Sequence, residues 1–385
     1  MSGHESVEAE RHEAARMALR TARRIVVKVG SAVLAGIRNG VDKDRIADLA
    51  SSIAALRKEG RNVALVSSGA VAAGTFRLGW KKRPEDMAQI QAAAAVGQGK
   101  LIRFYTEAFS KYDIPVGQML LTRDCLDDRE RYLNSRNTLN ALFEAGAVPV
   151  INENDTVMTE ELQFGDNDQL SSMVAGLADA ELLVILSDID GLHEKSPAEG
   201  ESPLISCVER ITPEIEAMAG VSTSGVSRGG MASKLSAARA ATGHGACVVL
   251  ASGKINGVLG HIVAGDAVGT CFLPAEMERG ARKRWLTGHA VAGTLTVDDG
   301  AARALVTQGK SLLPVGVVGV DGTFGQGDAV RVVDRSGREI ARGLSNFSAD
   351  EMRKACGVRS SDLSTTLGHT CAETAIHRDN LVVLD

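Results

Sequence analysis

The hydrophobic residues of this chain are grouped in short runs, and most runs are followed by a longer stretch with helical spacing. The runs are rich in Val, Ile and Leu, and they are continuous rather than alternating, which is typical of strands buried on both faces. The predicted strands are Ile25 to Val29, Val63 to Val66, Val116 to Leu121, Val148 to Ile151, Leu182 to Leu186 and Cys247 to Leu250.

Helical stretches lie between these runs. They are Asp44 to Glu59, Ile90 to Lys111, Asn134 to Ala145, Asn167 to Leu177 and Ala232 to Thr242. Strand and helix alternating at this spacing require crossover connections, which place the strands parallel in one sheet. The sequence therefore predicts an α/β domain with an open, mostly parallel sheet and helices on both faces.

The pattern changes after about residue 275, where a charged segment is followed by short runs rich in Val and Gly. Gly/Asp turns separate these runs, which favours a small β-barrel-like domain without long helices. We therefore divide the chain into an N-terminal extension, helical or disordered (1–22), an α/β domain (23–275), a linker (276–287), a β-rich domain (288–372) and a C-terminal tail (373–385). We expect the extension, if helical, to be solvated and outside the main fold.

Composition narrows the class of protein. Hydrophobic residues make up 44% of the 385 residues and charged residues 24%, and the net charge is −5, which is ordinary for a soluble globular protein. That charge disfavours a surface dominated by nucleic-acid binding. The sequence contains neither an apolar run of about 18 residues nor the apolar centre of a signal peptide, so we expect a cytoplasmic protein. The six cysteines are scattered without metal-ligand spacing, so no metal site of that kind is predicted.

Candidate chemistry follows the predicted strands. Ligands of open α/β sheets bind beyond the carboxyl ends of the strands, and four strands end in small, polar or charged residues. These ends are Lys28 to Ser31, Ser67 to Ala70, Asn152 to Asp155 and Ser187 to Asp190. Any one of them could be an ordinary polar loop, but four together indicate a ligand site.

Two further segments carry candidate ligand groups. In the segment Gly229-Gly230-Met231-Ala232-Ser233-Lys234, two glycines lead into a helix with a lysine in its first turn, so backbone amides and an ammonium group could converge on phosphate oxygens. Lys28 lies within an apolar strand, where an unpaired cation would be costly to bury. The segment Gly165 to Asp168 could be a simple helix cap, but beside Asn152 to Asp155 it is a candidate clamp for a small charged substrate.

These motifs, in this order, resemble the amino acid kinase family, and most closely its members that phosphorylate the side-chain carboxylate of L-glutamate. The matching stretches are VVKVGSAVL, VSSGAVAAG, AVGQGKLI, GQMLLTRDCLDDRERYLNSRNTL, VPVINENDTV, GDNDQLS, LSDIDGL and GGMASKLSAA. The stretches SLLPVGV, FGQGDAV, ARGLSNF and HRDNLV are similar to a PUA domain. Ala32, where Ser is common, and Arg228, where Thr is frequent, depart from the family pattern at the nucleotide end.

The resemblance implies a role for each candidate residue. Lys28 and Lys234 would contact ATP phosphates and stabilise the transferring phosphoryl group, with Asp168 holding both lysines. The implied glutamate-binding residues are Ser68, Asn152, Asp155 and Asn167, with Asp155 pairing with the substrate ammonium. The implied nucleotide-binding residues are Lys28, Ser187, Asp188, Gly229, Gly230, Met231, Ala232, Ser233 and Lys234.

The resemblance also implies a reaction and its partners. The substrates would be ATP with Mg²⁺ and L-glutamate, and the product γ-glutamyl phosphate, the first intermediate of proline biosynthesis. Proline would inhibit by feedback, the protein would be a dimer or tetramer of identical chains, and the product would be handed to glutamate-5-semialdehyde dehydrogenase.

Two alternatives stay open at this point. A kinase of this fold could act on N-acetylglutamate, aspartate or UMP. Asp155 discriminates among these, because a free ammonium group pairs with an acidic side chain, whereas an acetylated amine or a nucleotide does not. The chain could instead be chiefly an RNA-binding protein, because PUA domains occur in RNA-modifying enzymes. Residues 288–385 carry 10 Lys and Arg against 12 Asp and Glu, a net of −2, which is unlike a phosphate-binding surface.

Overall fold

The computed structural model describes residues 13, 15–36, 40–157, 167–195, 202–219, 230–274, 291–369 and 372–384. The chain divides into two compact units, Met1–Asp127 with Asn134–Met277 and Asp128–Leu133 with Glu278–Asp385. Within the described ranges, no helix combines the length and the apolar character that crossing a membrane requires.

An eight-stranded sheet forms the centre of the first unit. Its strands are β1 (Arg24–Val29), β2 (Asn62–Ser67), β3 (Val116–Leu121), β4 (Val148–Glu153), β5 (Leu182–Ser187), β6 (Cys207–Val208), β7 (Cys247–Ser252) and β8 (Thr270–Phe272). Their order is β3-β4-β2-β1-β5-β7-β8-β6. The strands from β3 to β7 pair in parallel, and β8 is antiparallel to β7. The predicted open, mostly parallel sheet is confirmed.

Helices cover this sheet. They are α1 (Ser31–Leu34), α2 (Lys43–Lys58), α3 (Ala70–Arg77), α4 (Met87–Phe109), α5 (Arg123–Asp127), α6 (Arg129–Glu144), α7 (Asn167–Leu177), α8 (Pro213–Met218), α9 (Met231–Gly243) and α10 (Val258–Ala264). Short 3₁₀ turns lie at Ser110–Tyr112 and Asp155–Val157. All six predicted strands and all five predicted helices are present.

Burial along the strands agrees with their positions in the sheet. Every residue of β4 and β5 is buried, as the continuous apolar runs predicted. Strand β3 is different, because several of its residues are partly or fully exposed. It is the edge strand of the sheet, so it has a neighbour on one side only. The prediction that it is buried on both faces was wrong for this reason.

The segment before β1 also differs from the expectation of a solvated helix outside the main fold. Residues 15–21 are helical, and Leu19 and Ala22 belong to the same buried apolar cluster as the strands. Ala15 and Leu19 are one helical turn apart and are both buried. Side chains at this spacing share one face of a helix, which gives an otherwise charged segment an apolar stripe.

A five-stranded sheet forms the second unit. Its strands are β9 (Gly293–Val297), β10 (Val317–Gly322), β11 (Ala329–Val333), β12 (Glu339–Leu344) and β13 (Leu381–Val383), in the order β10-β9-β11-β12-β13. Its helices are α11 (Asp299–Gln308), α12 (Ala349–Ala355) and α13 (Leu363–Leu367), and 3₁₀ turns lie at Pro314–Gly316, Ser360–Asp362 and Arg378–Asn380. The predicted small β-rich unit is present, whereas the whole of the proposed linker (276–287) lies outside the described residues.

One of two expectations for this unit was wrong. We expected no long helix, and α11 has ten residues. Asp298 caps it by accepting a hydrogen bond from the Ala301 amide at 2.7 Å, and Leu305 is fully buried. We also expected residues 373–385 to be a tail, but β13 pairs with β12, and Ile376 lies in the core. Burial of its apolar residues stabilises this segment against the second unit's core, so it is not an exposed tail.

Candidate active site

The four strand ends singled out in the sequence lie side by side. Strands β4, β2, β1 and β5 are consecutive neighbours in the sheet and are parallel, so their carboxyl ends meet at one edge. A cavity of about 680 Å³ opens there, a volume typical of small-ligand sites. The predicted residues that line it are Lys28, Ser68, Asn152, Asp155, Asn167, Ser187, Asp188 and Lys234.

A buried ion-paired triad lies in this region. Lys28, from β1, pairs with Oδ1 of Asp168, and Lys234 Nζ, from the first turn of α9, lies 3.1 Å from Oδ2 of the same carboxylate. Ser233 Oγ donates a hydrogen bond to Oδ2 at 2.8 Å. Asp168 is completely buried, and the two lysines are only 2% and 5% exposed. One carboxylate therefore holds two ammonium groups together, and the triad has a net charge of +1.

The placement of Asp168 follows from local structure. It is the second residue of α7, and acidic side chains are stabilised in the first turn of a helix by the unpaired amides there. Burying an ion pair is costly in itself and contributes little to stability. An arrangement with one cation in excess is better suited to receiving an anion than to stabilising the fold.

A second polar network adjoins the triad. Nδ2 of Asn167 donates to Oδ1 of Asn152 at 3.0 Å, to Oγ of Ser68 at 2.9 Å and to the carbonyl of Ser67 at 3.2 Å. Beneath it, the Ser67 hydroxyl and the hydroxyl of the fully buried Tyr105 lie 2.8 Å apart. These contacts join the ends of β2 and β4 to the start of α7, so they fix the polar wall of the cavity.

Close helix packing positions the turn after β2. Gly69 has a φ of 106°, in the left-handed region that favours glycine, and it precedes α3. Helix α3 then packs so closely on α4 that a Cβ atom at Gly74 would lie 1.7 Å from the Ala93 carbonyl oxygen. A Cβ atom at Gly97 would lie 1.8 Å from the Ala70 carbonyl oxygen. Glycine at both positions is therefore a packing requirement that holds this turn in place.

Asp155 has an unusual environment at the far end of the cavity. It begins the 3₁₀ turn after β4, and burial raises the pKa of its carboxyl group from 3.8 to about 6, the main cause being loss of hydration. A hydrogen bond from its own backbone amide and the positive charge of Arg83 lower this pKa in part. An ammonium group bound beside it would favour the ionised form.

The opposite end of the cavity carries the predicted nucleotide contacts. Ser187 Oγ donates to Asp188 Oδ1 at 3.1 Å, and both residues line the cavity. Gly230 is the N-cap of α9 without a side-chain cap, so the first amides of this helix are available to an anion. Met231 and Ala232 belong to this first turn without lining the cavity. Gly229, Gly165, Asp166 and Arg228 lie outside the described residues.

Several residues that line the cavity were not predicted from the sequence, among them Trp80 and Arg83. Both lie between α3 and α4, away from any strand end, so the rule that selected the other residues could not find them. Ala32, which stands where Ser is common in the family, also lines the cavity. Within the described ranges, no three or more His, Cys, Asp or Glu side chains are grouped so that they could hold a metal ion.

This chain is similar to known proteins over most of its length. Residues 23–251 match the family model described as "Amino acid kinase family", and residues 293–367 match the PUA domain. The glutamate 5-kinase of Nitrosomonas eutropha is 48% identical over 371 residues, which cover 96% of this chain and 100% of that protein. The glutamate 5-kinase of Moorella thermoacetica is 48% identical over 96% of this chain and 98% of that protein. The crystal structure of UMP kinase from Bacillus anthracis has a TM-score of 0.47 and 16% identity, covering 67% of this chain and 98% of that chain.

Proposed function

This chain belongs to the amino acid kinase family, with glutamate 5-kinases among its full-length relatives, and we propose that it transfers the γ-phosphoryl group of ATP to the side-chain carboxylate of L-glutamate. The observation that carries the proposal is the buried triad, in which Asp168 holds Lys28 and Lys234 side by side. Two fixed cations, one from the end of β1 and one from the first turn of α9, suit a reaction in which two anions must approach each other.

The chemistry needs charge neutralisation rather than a base. A glutamate side-chain carboxylate, with a pKa of about 4.3, is already ionised at neutral pH. One of its oxygens forms a bond to the γ-phosphorus, the bond from that phosphorus to the β,γ-bridging oxygen breaks, and ADP leaves with the electron pair. Lys28 and Lys234 stabilise the charge on the transferring group and on the bridging oxygen. Asp168 is a positioning residue that acts through both lysines.

The polar wall and Asp155 are proposed to hold L-glutamate. Asn152, Asn167 and Ser68 are already linked by hydrogen bonds, so their polar groups are fixed before the substrate arrives. Asp155 pairs with the substrate ammonium, and this pairing offsets the cost of its burial. The same pairing favours a free amino acid over N-acetylglutamate or UMP, because neither of these presents an ammonium group.

ATP is proposed to lie along Ser187, Asp188 and the start of α9, from Gly229 to Lys234, with Lys28 and Lys234 on its phosphates. Mg²⁺ is proposed to arrive as part of the ATP complex. This fits the absence of a three-ligand cluster in the described part of the chain, because Mg²⁺ commonly binds through substrate phosphates and only one or two carboxylates.

The product, γ-glutamyl phosphate, is a reactive acyl phosphate, and we assign this step to the start of proline biosynthesis in the cytoplasm. Proline is proposed to inhibit by feedback, and glutamate-5-semialdehyde dehydrogenase to receive the product. A homo-oligomer, dimer or tetramer, is the proposed assembly. The names of the full-length relatives, both glutamate 5-kinases, support the reaction on which these proposals rest.

One experiment tests the reaction. ADP release is measured with L-glutamate, N-acetylglutamate and L-aspartate as acceptors, and the acyl phosphate is trapped with hydroxylamine. The same preparation of Lys234→Met, which lacks one proposed catalytic cation, controls for contaminating kinases. We expect L-glutamate to have the highest kcat/KM. Preference for N-acetylglutamate or L-aspartate, or equal activity of the Lys234→Met protein, would refute the assignment.

A further inference from the structure

Among the described residues, three basic side chains line the cavity, and one of them has no role in the proposed reaction. Lys28 and Lys234 are both ion-paired with Asp168. The third is Arg83, for which no hydrogen bond or ion pair is found among the described residues. Its guanidinium group belongs to the same cavity lining as Asp155, yet the two side chains do not form an ion pair with each other.

We propose that Arg83 binds the α-carboxylate of the amino acid substrate and thereby determines, together with Asp155, that the substrate is a free α-amino acid. This inference rests on the proposed function. The α-ammonium and α-carboxylate of an amino acid are bonded to the same carbon, so their protein partners must be neighbours. Arg83 and Asp155 line the same cavity, and the 3₁₀ turn that begins at Asp155 contacts α4, which starts four residues after Arg83. An anionic and a cationic partner are therefore available in one region of the cavity.

The backbone around Arg83 is anchored rather than free. Pro84 follows it and is buried, and a residue before proline is restricted to extended conformations. Two residues further on, Asp86 caps α4 by accepting a hydrogen bond from the Gln89 amide at 3.1 Å. The guanidinium itself is exposed, which suits a group that binds an incoming ligand. Arginine also presents a planar fork of donors that matches a carboxylate.

The division of charge in the cavity supports this assignment. The paired lysines lie at the ends of β1 and the start of α9, where the phosphoryl group is transferred, so the γ-carboxylate of glutamate must point toward them. The α-carbon then lies at the Asp155 end. Without Arg83, the α-carboxylate would enter a partly buried site next to Asp155 with only a like charge beside it, an arrangement that is unfavourable.

The first test separates substrate binding from catalysis. KM for L-glutamate, KM for ATP and kcat are measured for the unmodified protein, Arg83→Met, Arg83→Lys and Lys81→Met. Lys81 is the matched control, because it is an exposed cation two residues away that does not line the cavity. Loss of one charge-assisted hydrogen-bonded pair should raise the glutamate KM of Arg83→Met about ten- to a hundredfold, with kcat and the ATP KM changed less than about threefold. Arg83→Lys should be intermediate, because lysine keeps the charge and loses the fork.

The second test removes the α-carboxylate from the ligand instead of the guanidinium group from the protein. 4-Aminobutyrate is glutamate without its α-carboxylate, and its inhibition constant against L-glutamate is measured for the same proteins. It should bind the unmodified protein and Arg83→Met equally, within about a factor of two, because neither complex contains the proposed pair. A loss of 4-aminobutyrate binding in Arg83→Met, similar in size to the rise in glutamate KM, would show that Arg83 supports the structure of the site instead.

The outcomes also separate this inference from the proposed function. An unmodified protein that does not phosphorylate glutamate would refute the function, whatever the Arg83 variants do. An active protein whose glutamate KM is unchanged in Arg83→Met, or equally raised in Lys81→Met, would overturn the inference alone. A rise confined to the ATP KM would assign Arg83 to the nucleotide.

Discussion

Replacing Asp155 with asparagine should make the free protein more stable at neutral pH while weakening glutamate binding. The pKa of this carboxyl group is raised from 3.8 to about 6, mainly by burial. Above pH 6 the folded protein must keep a charge where hydration is poor, whereas the unfolded chain exposes it to water. Well below pH 3.8 the group is protonated in both states, and the cost disappears. The stability of the unmodified protein is therefore reduced as pH rises through the interval from 3.8 to about 6.

The size of this effect follows from the pKa difference. One pKa unit corresponds to about 1.4 kcal/mol, so a change from 3.8 to about 6 is worth about 3 kcal/mol. Asp155→Asn removes the charge without changing the shape of the side chain. Its free energy of unfolding should exceed that of the unmodified protein by up to about 3 kcal/mol at pH 8, and the difference should fall to about 0.5 kcal/mol at pH 4.

Urea denaturation at several pH values between 4 and 8, without substrates, measures this difference. Asp321→Asn is the control, because it removes an exposed carboxylate from the second unit.

Binding is then measured through the glutamate KM. The glutamate KM of the unmodified protein should rise about tenfold between pH 7 and pH 5 as Asp155 takes up a proton. A group with a pKa of about 6 passes from mostly ionised to mostly protonated over that range. Asp155→Asn should have a high glutamate KM that no longer follows this change.

Two results would refute the reasoning. A stability difference that is the same at pH 4 and pH 8 would show that the substitution acts through packing rather than charge. A glutamate KM that is unchanged in Asp155→Asn, with a raised KM for ATP, would place the amino acid at the other end of the cavity.

Three further predictions concern catalysis, regulation and domain organisation. Lys28→Ala or Lys234→Ala should lower kcat by about 10²–10³ with a smaller change in KM, because each lysine acts on the charge of the transition state; an unchanged kcat in a folded variant would remove that lysine from the mechanism. Proline should compete with glutamate through the Gly165 to Asp168 segment, so its apparent inhibition constant should rise with glutamate concentration in steady-state assays, and a constant indifferent to glutamate would exclude overlap. A chain ending at Arg279 should fold and form acyl phosphate, because every candidate site residue precedes it; a soluble, monodisperse but inactive fragment in the hydroxylamine assay would show that the second unit takes part in catalysis.

The sequence determined the elements of the fold because their causes are local. Continuous apolar runs predicted the buried strands, and helical spacing predicted the helices between them. Polar residues at four strand ends predicted a site, since parallel strands bring their carboxyl ends to one edge. Where local pattern was weak, the predictions were wrong. The apolar stripe of residues 15–22 is short and interrupted by Arg16 and Arg20, a pattern that is also typical of an exposed helix.

Only the tertiary structure decided how the candidate residues act. Lys28, Asp168 and Lys234 were each identifiable from the sequence, but their ion pairs join residues 66 or more positions apart. The pKa of Asp155 depends on how completely the fold removes water from it, which no run of residues around it reveals. Arg83 lies in a connection between two helices and lines the cavity because α3 packs on α4 through Gly74 and Gly97. Pattern along the chain records which residues are apolar and which are charged, whereas burial and proximity, which determine their chemistry, arise only when distant segments pack together.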